Sequence, residues 1–100
     1  MSMIVYIIKA VKYDEDDTPV AVIWQHADAE ANEWIGDELE VGLDKVIAAL
    51  DQGHTVYLEW FANGRSVEGP RVKKIVAANG APGIESADPD RPLGELPYFD

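Results

Sequence analysis

The chain contains no cysteine, which excludes a disulfide framework, a thiolate zinc centre and a cysteine nucleophile. It is also poor in positive charge: 8 Lys and Arg stand against 19 Asp and Glu, for a net charge of −11 at pH 7. Nucleic-acid phosphates and anionic lipid surfaces are bound through basic faces. Neither direct nucleic-acid binding nor membrane attachment is therefore expected. Long hydrophobic runs are missing too. The apolar run Met3 to Ile8 has no basic region in front of it. It is shorter than the roughly 7–15 residues of a secretory signal core, and nothing approaches the ~20 residues of a membrane span. A cytoplasmic protein is the expectation.

The motifs of common chemistries are absent as well. No G-x-x-x-x-G-K-[ST] or G-x-G-x-x-G phosphate loop, no G-x-S-x-G elbow and no H-E-x-x-H occurs. Asp14 and Asp16 begin like a calcium loop, but Pro19 stands where the loop needs Gly and Gln25 where it needs a bidentate acid. A solvated acidic turn accounts for Asp14 to Asp17 more simply. The only two histidines, His26 and His54, are far apart in sequence. With carboxylates such as Asp28 they would make a metal site or a small enzyme's active site. Ordinary surface histidines explain them better, and no cofactor or metal is expected.

What is present suffices for one domain over residues 1–100, with 47% apolar residues to build a core. Residues 3–13 and 20–25 are rich in β-branched and aromatic side chains and predict an antiparallel hairpin across the turn at Asp14 to Pro19. Ile4, Tyr6, Ile8 and Ala10 would share one face, and Val5, Ile7 and Val11 the other. Residues 26–40 are acidic and interrupted by Gly36, and read as a loop with a short helical turn at Trp34, Ile35 and Leu39. Leu43, Val46, Ile47 and Leu50 follow the stripe of an amphipathic helix over 42–51, with Gly53 just past its end. Alternation predicts a strand over 54–61. Asn63-Gly64 then turns the chain into a return strand from Arg65 to Ala77, with a bulge or an edge at Gly69-Pro70. Residues 79–100 hold Pro82, Pro89, Pro92 and Pro97, and form an extended tail with a short strand at Ile84 to Ser86. The sum is an α+β fold: an antiparallel sheet of four to five strands, one main helix on one face, a body at 3–78 and the tail docked on it.

This layout resembles a family of small bacterial domains of unknown function. The matching pieces are Ile7 to Val11, the Val46-Ile47…Leu50…Gly53 helix end, and Val56-Tyr57. Ile84-Glu85-Ser86, Asp88 to Asp90 and the terminal Leu93-Gly94-Glu95-Leu96-Pro97 complete them. The connection 26–40 is longer than in that family, and Arg91-Pro92 replaces a pair of amides. The resemblance implies a fold and a tail docked through Leu93 and Leu96. It implies no catalytic residue.

Two features remain for function. Eleven of the acidic residues lie between Asp14 and Asp44 without a single Lys or Arg, whereas Arg65, Arg71, Lys73 and Lys74 cluster later against Glu68 alone. Either region could meet a partner of opposite charge, or the two could pair with each other. Trp24 and Trp60 lie on strands and read as core. Trp34 lies in the acidic loop and reads either as a binding anchor or as a clip of that loop onto the body. The candidate interaction residues are Trp34, Ile35, Asp37, Glu38, Arg71, Lys73 and Lys74. They suggest a non-enzymatic protein-interaction or accessory module, as a monomer or homodimer. The alternative is an acidic mimic that occupies a nucleic-acid-binding protein.

Overall fold

A computed structural model describes residues 4–28, 30, 31, 33–62, 64–76 and 80–99. Six strands and one α-helix follow in the order β1 (Ile4–Tyr13), β2 (Pro19–Asp28), β3 (Glu33–Gly42), α1 (Leu43–Asp51), β4 (Val56–Ala62), β5 (Arg65–Val76) and β6 (Pro82–Ser86), with a short 3₁₀ turn at Leu93–Glu95. The fold is α+β, but the sheet has six strands, in the order β3-β2-β1-β4-β5-β6. It is mixed, not purely antiparallel, because β1 and β4 run parallel. Two three-stranded meanders are thus joined first strand to first strand. Strands β3 and β4 run in the same direction, so the chain needs a crossover between them, and α1 provides it. Among the described residues no helix is long and apolar enough to cross a membrane. Asn63 and Asn79, the turn residues expected beside Gly64 and Gly80, lie outside the described residues, as do Met3 and Ala77.

The expected loop at 26–40 is instead mostly strand. Strand β3 pairs with β2 at Glu33–Ile35 and again at Leu39–Gly42, and two extra residues bulge out between these stretches. Gly36 takes φ +69° in the bulge, a conformation open to glycine at little cost. A second bulge, at Lys9 and Ala10 of β1, corrects the expected facing of that strand. It brings Val11 to the side of Ile8, and both are fully buried in one cluster. The third, at Gly69-Pro70, falls where β5 gains a residue on β4. A Cβ at Gly69 would stand 2.5 Å from the Leu58 carbonyl oxygen, so a close backbone approach requires glycine there.

The main core lies on the face covered by α1. It joins Ile8, Val22, Trp24, Val56, Leu58 and Val72 to Val46 and Ile47 of the helix. The opposite face carries a smaller cluster of Val5, Ile7 and Ala27 with Tyr57 against it. Helix α1 ends in a Schellman arrangement: Gly53 N–H donates to Leu50 O and His54 N–H to Ala49 O, each at 3.0 Å, with Gly53 at φ +86°.

The C-terminal segment returns to the same core face, where Leu93 and Leu96 are 7% and 5% exposed. It also completes a ladder. Strand β4 pairs with β1 only at Tyr6, Ile7 and Ile8, which leaves the Val11 backbone without a strand on that side. Val11 N–H donates to Pro97 O at 3.0 Å and Phe99 N–H donates to Val11 O at 3.1 Å, so the tail supplies the partner that buried backbone requires. Ahead of it, the Asp88 carboxylate accepts from Arg91 Nε and from Asp90 N–H, both at 2.9 Å.

Two outcomes follow. Leu96→Ala should lower stability by about 2–5 kcal/mol, as for other core Leu truncations, read as a reduced midpoint in urea denaturation. The Arg91 hydrogen bond, then that from Asp90 N–H, holds the Asp88 carboxyl below its ordinary value of 3.8. A carboxyl lowered on folding stabilises above its unfolded value and loses that contribution as pH falls through the folded one. The stability difference between wild type and Asp88→Asn should therefore shrink as denaturation is repeated at pH values falling below 3.8.

Candidate functional site

Helix α1 touches β2, β3, β5 and β6, but its nine residues do not cover the whole core face. One uncovered part of the core face is filled by Leu93 and Leu96. The other part, toward β2 and β3, stays open as a groove of about 330 Å³ between α1 and β3.

The groove has an aromatic floor. Tyr6 of β1 stacks on Trp24 of β2, with ring centroids 4.1 Å apart. His26 meets Tyr6 edge-on at 4.5 Å and His54 does so at 5.6 Å. The two histidines are therefore not isolated. His26 points to this side because it follows Trp24 by two residues on β2, and His54 is placed by the Schellman turn that ends α1. The wall is the stripe Lys45, Ala48, Gln52 of the helix, with Leu39 and Val41 of β3 opposite. These helix positions share one face by spacing, and the alanine leaves the space that a larger side chain would fill. Among the described residues no carboxylate lines the groove, and no three potential ligands stand together as a metal site would need.

The second surface is β3 itself, at the edge of the sheet. Trp34, Ile35 and Leu39 are 43%, 39% and 53% exposed. Trp34 lies opposite Ala27 and Ile35 opposite His26, so Trp34 belongs to the face away from the helix and Ile35 to the groove side. Lys9 is half-buried beside Trp34. Its ammonium lies 4.0 Å from the Trp34 ring centroid, 3.1 Å from Glu38 Oε1 and 3.9 Å from Glu59 Oε2. Lys9 orients Trp34 on one side by a cation–π contact while much of the ring stays open to solvent. Gln25 Nε2 donates to Gly36 O and ties down the bulge that carries Asp37.

The sequence candidates do not form one site. Trp34, Ile35, Asp37 and Glu38 lie together on β3, whereas Arg71, Lys73 and Lys74 lie on β5, four strands away or about 19 Å. Among the described residues the basic and acidic regions do not pair with each other. Lys73 bonds Glu85 and Lys74 bonds Asp51, both outside the acidic stretch, and Arg71 makes no ion pair among the described residues. Such exposed pairs stabilise little. Of the acids between Asp14 and Asp44, only Glu38 has an ion pair among the described residues. Asp14 instead accepts from the N–H groups of Asp16 and Thr18, and so closes its own turn.

The chain matches no family model, no curated protein and no solved structure.

The burial of the three tryptophans is directly measurable. Trp34→Phe should remove the fraction of emission that acrylamide quenches most readily. Trp24→Phe should remove the most protected fraction, since Trp24 is only 6% exposed.

Proposed function

We propose that this protein is a non-enzymatic interaction module that takes a basic segment of a partner protein along β3. The observation that carries this reading is the exposure of Trp34, Ile35 and Leu39 on an edge strand, in a chain whose Trp24 is buried in the core and whose Trp60 is half-buried. Edge strands offer unpaired backbone groups to an extended partner. The bulge at Gly36 divides that edge into two short stretches, so side chains contribute more than a long ladder. Glu33, Asp37, Glu38 and Glu40 stand among the apolar residues, and they favour a cationic partner. They also oppose pairing between two copies of this strand.

A second reading has its own support. The acidic residues continue from β3 into the turns at both ends of β2, which makes an anionic rim that a nucleic-acid-binding protein could accept in place of phosphates. Salt and Trp34 distinguish the two. Partners captured from native lysate on immobilised protein should lose about tenfold or more in affinity with Trp34→Ala, and a contact anchored by Trp34 should survive moderate salt. Capture that vanishes steeply with salt and ignores Trp34→Ala supports the mimic. Full retention by both Trp34→Ala and Leu39→Asp in low and moderate salt overturns both readings of β3.

A further inference from the structure

We propose that the groove between α1 and β3 binds a small planar aromatic carboxylate. This site shares Leu39 with the proposed β3 surface but does not use Trp34, and it does not rest on that reading.

The charge of the groove is opposite to that of the chain. Acids make up 19 of the 100 residues, yet among the described residues none lines the groove, while Lys45, His26 and His54 all do. Lys45 makes no ion pair among the described residues, although carboxylates are abundant elsewhere on the surface. An ammonium left without a countercharge in so acidic a protein can accept one from a ligand. Each imidazole carries at least one ring N–H, and the Gln52 amide adds further donors on the same helix face.

The floor selects for shape. Half-buried Tyr6, backed by the buried Trp24 on which it stacks, is its aromatic surface, and the imidazoles meet Tyr6 edge-on. A flat ring packs against such surfaces better than an aliphatic chain does. A volume of about 330 Å³ falls at the small end of ligand pockets, which suits one or two fused rings with a carboxylate. Leu39, Val41 and Ala48 supply apolar sides. The carboxylate is placed toward Lys45 and the ring N–H groups, and the ring lies on Tyr6.

The test uses the full chain with 2-naphthoate, its neutral isostere 2-naphthamide, and acetate, each followed by NMR titration. Saturable shifts at Tyr6, His26, His54 and Lys45 with 2-naphthoate are expected. Binding of 2-naphthamide should be roughly tenfold weaker, and acetate should cause no saturable shift, since a charged hydrogen bond contributes about 1.5–3 kcal/mol. Lys45→Gln should weaken 2-naphthoate by a similar factor. Lys12→Gln loses the same charge outside the groove and should bind as wild type. Ala48→Leu keeps a good helix former at an exposed position and should abolish binding with an unchanged circular dichroism spectrum. Trp34→Ala, which tests the β3 reading, should leave 2-naphthoate binding intact. Equal affinity for 2-naphthoate and 2-naphthamide overturns the proposal. So do shifts that map elsewhere, undiminished binding by Ala48→Leu, or the lack of any saturable shift at millimolar probe.

Discussion

The parallel pairing of β1 with β4, only three residue pairs long, is the contact on which the rest of the structure depends. It alone joins the two meanders into one sheet, and it closes a loop of about fifty residues, whose entropy cost is large but grows slowly with length. Packing provides the compensation: Ile8 and Leu58, opposite each other across this junction, are both fully buried under α1. The junction also assembles the groove. Tyr6 N–H donates to Thr55 O at 3.1 Å, which brings the residue after His54 against the strand that carries the aromatic floor. His26 of β2 and His54 of the connection between α1 and β4 thus reach the same tyrosine.

Much of the architecture was legible in the sequence, and the exceptions have physical causes. Richness in β-branched and aromatic residues exposed β1 and β2, alternation exposed β4, and the 43, 46, 47, 50 stripe with Gly53 exposed α1 and its cap. Strand β3 was hidden because its bulge inserts two residues. Ile35 and Leu39 therefore stand four apart on one face, a helical spacing produced by a strand. The bulge at Lys9 and Ala10 moved Val11 to the opposite face for the same reason: one extra residue inverts a period of two. The parallel junction has no local signature, since neither strand's own pattern states which neighbour it will take. A predominantly antiparallel sheet of fewer strands was the simplest closure without that information.

The groove was less legible than the fold. His26 and His54 were visible as residues, but their meeting depends on Tyr6, which read as one more apolar position in a β-branched run. An aromatic with a hydroxyl among Ile and Val was the available signal. Trp34 read as a loop residue that was either an anchor or a clip. In the structure Lys9 covers part of the ring and solvent reaches the rest. The expected pairing between acidic and basic regions failed for a geometric reason. The strand order separates β3 from β5, and Lys73 and Lys74 pair with Glu85 and Asp51 instead.

An open sheet has two edges, and each could in principle template unlimited growth of one molecule upon the next. Here the ends are unlike. Strand β3 is long but bent by its bulge and crowded with carboxylates, so a second β3 would meet charge of its own sign. Strand β6 has five residues and begins with Pro82, which has no N–H to offer a neighbour. A fibre needs an edge that accepts a copy and another that passes the addition on. In the proposed reading β3 takes a different chain, and the same carboxylates that favour such a guest oppose growth of the sheet through its own kind.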